Sequence, residues 1–183
     1  MTYATHNNRF AQPELILSHF HVRDGDLVGD FGAGAGTFIP GLSQKVGERG
    51  RVFACEIQRP LVDKIGALIN EANLRNVDPL WCDLEAENGI KISDGILDVA
   101  ILVNTLYQME ERERAIAENR RTMRQGGVVY VVDWEESFGG MGPHPDCVVC
   151  KQMAIDLFEA AGFILEREYP AGEHHYGLAF RVL

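Results

Sequence analysis

The segment Val28-Gly29-Asp30-Phe31-Gly32-Ala33-Gly34-Ala35-Gly36-Thr37 narrows the possible folds more than any other stretch of the chain. Leu27 to Phe31 reads as a buried strand, and glycines follow it directly. At a strand-to-helix joint, glycine lets a ligand approach the backbone where a Cβ would collide. Donors at the start of the following helix can then meet electronegative ligand groups. Two kinds of ligand compete for such a loop. A dinucleotide fingerprint runs Gly-x-Gly-x-x-Gly/Ala, and counted from Gly32 its third small residue falls on Thr37. Asp30, at the strand's end, is poorly placed for a pyrophosphate and well placed for a cationic amino group. The loop therefore favours a ligand with an ammonium end.

Around this loop, short β-branched runs alternate with amphipathic stretches, which predicts an α/β fold with a mainly parallel sheet. Strands are expected at Leu27–Phe31, Arg51–Ile57, Val77–Cys82, Leu97–Val103, Val128–Asp133, Phe163–Tyr169 and Tyr176–Leu183. Leu97–Val103 is a continuous apolar run, as a strand buried on both faces should be. Helices are expected from Pro13, then over about Thr37–Val46, Pro60–Ala72, Glu111–Met123 and Cys147–Ala161, with Gly162 ending the last. Gln125-Gly126-Gly127 reads as a turn into the fifth strand. The joint Pro170-Ala171-Gly172-Glu173 is too short for a helix, so the final two strands pair antiparallel as a hairpin at the sheet edge.

A length of 183 residues, 46% hydrophobic and 24% charged, suits one domain over residues 1–183, with 1–22 as an N-terminal cap segment and helix. Such a chain buries enough surface to fold without disulfides or a structural metal. The balance of 17 basic against 27 acidic residues, a net charge of -10, disfavours a nonspecific polyanion binder such as a DNA-binding protein. No apolar run approaches the ~20 residues of a membrane span, and Met1 to Arg9 lacks the apolar core of a signal peptide. Cys55, Cys82, Cys147 and Cys150 are too few and too scattered for a secreted scaffold, so a reduced cytoplasmic location is expected.

Acids follow the first three strands. Glu56, 20 positions after Gly36, can accept hydrogen bonds from both hydroxyls of a ribose, and as a strand-end acid it is expected outside the core. Asp83, in Trp81-Cys82-Asp83-Leu84, can accept from an adenine amino group. With Asp30, these make three acids ending three successive strands beside one glycine loop.

On these residues the chain resembles the class I S-adenosylmethionine-dependent methyltransferases. The likeness includes Asp30-Phe31-Gly32-Ala33-Gly34-Ala35-Gly36 as the glycine motif and Glu56 as the acid ending the second strand. It continues through Cys82-Asp83-Leu84, Asp98 to Asn104, Gly126-Gly127 and the terminal hairpin. Within the class the chain is most similar to small bacterial and archaeal enzymes related to the ubiquinone/menaquinone-pathway methyltransferases, through Val132-Asp133-Trp134, Gly142-Pro143 and Ala160-Ala161-Gly162-Phe163. Ala35 departs from the threonine usual in the family but leaves the glycine spacing intact.

The resemblance implies a Rossmann-like three-layer sandwich with a mostly parallel seven-stranded sheet, and S-adenosylmethionine as cofactor. It implies that Asp30, Gly32, Ala33 and Gly34 contact the methionine moiety and that Gly36 opens the helix. Glu56 would hold the ribose, Ile57 would pack against adenine, and Asp83 and Leu84 would meet its edge and face. Asn104 would line the methionine end through its backbone.

A sulfonium methyl is already electrophilic, so such an enzyme needs chiefly to align the acceptor for in-line displacement and exclude water. No general base stands out. Tyr107, Gln108, Trp134, Glu135 and His144 follow the carboxyl ends of strands four and five, where open α/β sheets bind ligands. Tyr107, Trp134 and His144 are candidates for the acceptor site, with Arg9 and Phe10, beside His6, on an amino-terminal segment able to cover it.

Asn104-Thr105-Leu106-Tyr107 lacks the two prolines of the motif in amino-directed DNA methyltransferases, so a small-molecule acceptor is expected. Cys147-x-x-Cys150 with His144 can be imagined as a zinc site, but no second cysteine pair accompanies it and none is expected. His174-His175 reads as solvated turn. Two other functions fit the motifs: a dinucleotide-dependent (NAD-type) oxidoreductase, disfavoured by Thr37 and Asp30, and an S-adenosylmethionine-binding protein without catalysis.

Overall fold

The computed structural model describes residues 13–140 and 142–183. In chain order its elements are α1 (Pro13–His19), β1 (Leu27–Phe31), α2 (Ile39–Val46), β2 (Arg51–Glu56), α3 (Arg59–Glu71), β3 (Val77–Trp81) and β4 (Leu97–Val103). They continue with α4 (Arg112–Thr122), β5 (Met123–Trp134), α5 (Lys151–Ala160), β6 (Phe163–Pro170) and β7 (His175–Val182). Short 3-10 turns lie at Leu106–Gln108 and Pro145–Cys147.

The strands form one seven-stranded sheet in the order β3-β2-β1-β4-β5-β7-β6. The pairings from β3 through β5 are parallel, and β7 is antiparallel to both β5 and β6. The expected hairpin is present, with β7 tucked inside and β6 at the rim. Strand order reverses between β1, which leads outward to β2, and β4, which leads the other way. At such a reversal the loops leaving the carboxyl ends of the two strands diverge and open a crevice, the ligand site of open α/β sheets.

β4 shows why the sheet sits at the centre. Ala100 and Leu102 join an apolar cluster with Ile116 of α4 and Phe158 of α5, while Val99 and Ile101 join another with Ile16, Leu42 and Ile65 of α1, α2 and α3. Alternate side chains therefore meet helices on opposite faces, and the continuous apolar run becomes a strand buried on both. Phe158 stacks on Phe180 with ring centroids 4.5 Å apart, anchoring α5 over the hairpin.

Three expected boundaries change by more than one residue. The stretch from Thr37 is a turn and α2 begins at Ile39, because Pro40 lacks an N–H and sits naturally in a first helical turn. Cys147–Ala161 is not one helix: Val148 and Cys150 have extended backbone, with ψ of 125° and 161°, and α5 starts only at Lys151. Gln125-Gly126-Gly127 lies within the bounds of β5, whose Met123 pairs with Leu97 and whose Val128 pairs with Val99. The extra residues between these pairs bulge out, and Gly126 supplies the positive φ of 75° that the bulge requires. Gly162, at φ 84°, donates its N–H to the Glu159 carbonyl at 3.0 Å and closes α5 as expected. Among the described residues, no helix is long and apolar enough to cross a membrane.

Candidate functional site

The glycine loop folds back onto β2. The Gly32 and Ala33 N–H groups both donate to the Cys55 carbonyl, at 2.9 and 3.0 Å, so the loop is held by the strand beside it. Gly32 has a φ of 77°, and a Cβ there would lie 2.6 Å from Thr105 Cγ2 and 2.7 Å from its Oγ1. Thr105 is itself tied down, its hydroxyl donating towards the carbonyls of Phe31 and Val103 at 3.2 Å each. Gly32→Ala should therefore lower unfolding stability by about 1–2 kcal/mol through backbone strain and overpacking. Chemical denaturation measures this, and a midpoint equal to that of the native protein would refute the close approach.

Around the loop lies a cavity of about 280 Å³ lined by Asp30, Gly32, Ala33, Gly34, Phe38, Asn104 and neighbouring residues. Asp30 is 2% exposed, and its Oδ2 is buried with no hydrogen-bond partner among the described residues. Burial, and then the nearby Glu56 carboxylate, push its carboxyl up to about 7. Asn104 Oδ1 is a second buried acceptor without a partner among the described residues. Asn104, expected to line the methionine end through its backbone, lines this cavity. Its N–H donates to Val132 O at 2.8 Å and its carbonyl accepts from Gln108 Nε2 at 2.7 Å, so the side chain carries the spare acceptor. A φ of 55° at the strand's end turns it this way.

A second cavity, about 150 Å³, shares Gly32 and is lined by Glu56, Ile57, Gln58, Asp83, Leu84, Thr105, Gln108 and Met109 among others. Glu56 is 6% exposed, and so lies inside rather than outside the core. The reason is its partners: Oε2 accepts the Gly34 N–H at 3.0 Å and Oε1 accepts the Gln58 N–H at 2.9 Å. Two backbone donors compensate the desolvation of the carboxylate and aim it across the loop. Ile57, in contrast, leaves half its surface open, at 51% exposed. Asp83 Oδ1 accepts the Glu85 N–H at 3.0 Å.

The fold thus brings Asp30, Gly32, Ala33, Gly34, Glu56, Ile57, Asp83, Leu84 and Asn104 to two adjoining cavities. Gly36 stands apart from the lining. A Cβ there would meet Leu68 at 2.9 Å and Ile39 at 3.0 Å, so its smallness serves the packing of α2 on α3.

A third cavity, about 430 Å³, continues from Gln108 and Met109 and is lined by Tyr107, Glu110, Arg112, Pro143, His144, Asp146 and Cys147. Two acceptor candidates, Tyr107 and His144, therefore share a wall. Trp134 is not part of that lining: its ring packs on His175 with centroids 4.2 Å apart, and the Cα of Gly142 approaches so closely that a Cβ would sit 2.8 Å from the ring. Arg9 and Phe10, with His6, lie outside the described residues. His174, expected to be solvated, stacks on Phe138 at 3.9 Å and hydrogen-bonds Glu136 at 2.8 Å. Among the described residues no group of three His, Cys, Asp or Glu side chains is disposed to hold a metal ion.

Sequence reasoning missed Thr105, Met109 and Asp133. Asp133 is fully buried, accepting the Leu106 and Trp134 N–H groups at 2.9 and 2.8 Å, and it anchors the 3-10 turn that carries Tyr107 and Gln108. Burial nevertheless raises its carboxyl to about 6. An acid closing an otherwise apolar strand was the available signal for Asp133, whereas nothing local marks Thr105 or Met109.

Comparison with known proteins agrees with this geometry. The sequence profile of a family described as "Methyltransferase domain" matches residues 29–131. The ubiquinone/menaquinone biosynthesis C-methyltransferase of Hydrogenovibrio crunogenus is 26% identical over 117 residues, covering 63% of this chain and 44% of that protein. The protein of the same name from Cupriavidus taiwanensis is 28% identical over 124 residues, covering 67% and 49%. The chain spans less than half the length of these curated relatives.

Among solved structures, a SAM-dependent methyltransferase from Aquifex aeolicus superposes with a TM-score of 0.87 at 26% identity, covering 96% of this chain and 92% of that one. A 4+2 cyclase superposes at 0.79 with 16% identity, covering 93% and 80%, a likeness of fold alone. One scaffold thus carries different chemistries, and the site has to decide between them. The family profile covers more than half of the sequence, including the glycine loop, Glu56, Asp83 and Asn104. The chain belongs to the class I S-adenosylmethionine-dependent methyltransferases.

Proposed function

We propose that residues 1–183 act as one domain that transfers a methyl group from S-adenosylmethionine to a small-molecule acceptor. The observation that carries this reading is a pair of buried acceptors, Asp30 Oδ2 and Asn104 Oδ1, that have no partner among the described residues and belong to residues lining the cavity beside the glycine loop. Buried acceptors without donors are costly. A cationic ammonium group answers that need, and a pyrophosphate would aggravate it, which disfavours a dinucleotide-dependent oxidoreductase. The residues present fit the cofactor at its other end too. Each Glu56 oxygen already accepts one backbone N–H and keeps a lone pair for a ribose hydroxyl. Ile57 and Leu84 offer apolar surface to a purine, and Asp83, in the same cavity, can accept from its amino group.

When bound, the cofactor supplies an electrophilic methyl on a sulfonium. This chain's contribution is then alignment and exclusion of water, with the acceptor seated in the cavity of Tyr107 and His144 that joins the cofactor site through Gln108 and Met109. The net charge of -10 supports a small molecule over DNA as acceptor. The curated relatives are named for C-methylation in ubiquinone/menaquinone biosynthesis, so quinone-type rings are the first acceptors to test.

The test is transfer of a radiolabelled methyl group to a panel of such rings and to a metabolite extract. Label in a small product supports the reading, and tight cofactor binding without any labelled product would favour a binding protein without catalysis. With an acceptor in hand, Tyr107→Ala should cut turnover by roughly 10- to 100-fold through misalignment while leaving cofactor affinity within about twofold. Unchanged turnover would place the acceptor elsewhere.

A further inference from the structure

Cys55, in β2, and Cys82, directly after the end of β3, are 27 positions apart in the chain with their sulfurs 3.4 Å apart. Both side chains are buried, at 0% and 1% exposed, and both are free thiols. The sequence spacing does not announce this pair; the parallel register of β2 and β3, with Glu56 opposite Trp81, creates it. We propose that Cys55 and Cys82 form a peroxide-oxidisable dithiol whose disulfide weakens cofactor binding.

The position of the pair gives oxidation a consequence. Cys55 directly precedes Glu56, and its carbonyl accepts the Gly32 and Ala33 N–H groups that hold the glycine loop. Cys82 directly precedes Asp83, and its N–H donates to the Glu56 carbonyl at 3.1 Å. A disulfide requires the sulfurs to close to about 2.05 Å with a specific dihedral angle. That movement pulls on the two strand ends carrying Glu56 and Asp83, and on the carbonyl that shapes the loop.

Access and reactivity follow from the same geometry. Cys55 lines the cavity that also holds Glu56 and Asp83, and both sulfurs lie buried behind that wall, so a molecule as small as hydrogen peroxide has to enter through it during local opening. The hydrogen bond shared by the two sulfurs lowers the Cys82 thiol to about 7 and, together with burial, holds Cys55 up. Thiolate, the reactive form, is therefore available at Cys82 near neutral pH.

Cys82 Sγ attacks one peroxide oxygen, forming an S–O bond while the O–O bond breaks and hydroxide leaves. Cys55 Sγ then attacks Cys82 Sγ, forming the S–S bond and breaking S–O. The departing hydroxide takes the Cys55 proton as water, and the first hydroxide takes the proton that Cys82 gave up. Two thiols lose two electrons, and one peroxide becomes two waters.

The inference rests on the cofactor-site reading, and the experiment separates the two. Cys147 and Cys150, which reach solvent, are replaced by Ser throughout to remove competing thiols. The protein is treated with millimolar hydrogen peroxide, its peptides are mapped under non-reducing conditions, and S-adenosylmethionine is titrated calorimetrically before and after. The expected result is a peptide pair linked through Cys55 and Cys82 and an affinity at least about tenfold weaker, the scale of losing one hydrogen bond to a charged group. Dithiothreitol should restore the affinity. Cys82→Ala should remove the response to peroxide, so that its affinity is the same before and after treatment. S-adenosylhomocysteine bound beforehand should slow formation of the link. No Cys55–Cys82 link, or a linked protein that binds S-adenosylmethionine as tightly as the reduced one, overturns the proposal. Failure of the reduced protein to bind S-adenosylmethionine overturns the cofactor-site reading and the gating with it, while the peptide map still decides whether the dithiol oxidises.

Discussion

Glu56→Ala should weaken S-adenosylmethionine binding by about 3 kcal/mol or more, on the order of 100-fold, because hydrogen bonds to a charged group contribute roughly 1.5–3 kcal/mol each and two ribose hydroxyls are involved. The structure adds a reason for the effect to exceed the direct contacts. The Gly34 and Gln58 N–H groups both donate to this carboxylate, and its removal leaves two backbone donors of the site without their acceptor. Glu56→Gln separates the contributions. It keeps one amide oxygen as an acceptor but exchanges the other for a donor, so it should bind better than the alanine variant and still worse than the native protein. Titration calorimetry at constant pH measures all three. Equal affinities would remove Glu56 from the ribose site and leave it a structural tie between β2 and the glycine loop.

Cofactor affinity should rise with pH through about 7, and Asp30 should be the cause. Desolvation, followed by the nearby Glu56 carboxylate, raises its carboxyl to about 7, so near pH 5.5 the group is largely protonated. An ammonium ligand binds the ionised form better, so binding releases a proton at low pH and affinity grows as pH increases. A carboxyl titrating at 7 is ionised to about 3% near pH 5.5 and about 75% near pH 7.5, which predicts an affinity gain of roughly twentyfold across that interval. Asp30→Asn removes the titrating group and should flatten the profile, with affinity low throughout. Calorimetry in buffers of different ionisation enthalpy gives the proton release directly. A native profile as flat as that of the variant would show that Asp30 does not face the ammonium group.

Much of this site was legible before any coordinates. Glycines and acids at strand ends are chemically conspicuous, and their order along the chain follows the alternation of strand and helix. Asp30, Gly32, Gly34, Glu56 and Asp83 could be read because each sits at a strand-end position that the apolar pattern marks. β4 was equally plain, since a strand buried on both faces has to be apolar at nearly every position. Helix starts were harder. Pro40 and the extended residues before Lys151 shift α2 and α5 by local backbone preferences that a periodicity of apolar residues does not register.

What needed the tertiary structure were the relations between strands. The burial of Glu56 depends on the Gln58 N–H two residues on and also on the Gly34 N–H, 22 positions away, and the second partner lies outside any window of sequence around the carboxylate. Thr105 limits Gly32 across a gap of 73 positions, and Cys55 meets Cys82 across 27, through the pairing of β1 with β4 and of β2 with β3. Trp134, attractive as an acceptor residue because it closes a strand, turns towards His175 and Gly142, while Tyr107 and His144 come to share a cavity. Chain order carries local chemistry, because propensity and apolar pattern act over a few residues. Partner identity comes from sheet register and the packing of both faces, which couple residues far apart and exist only once the sheet has formed.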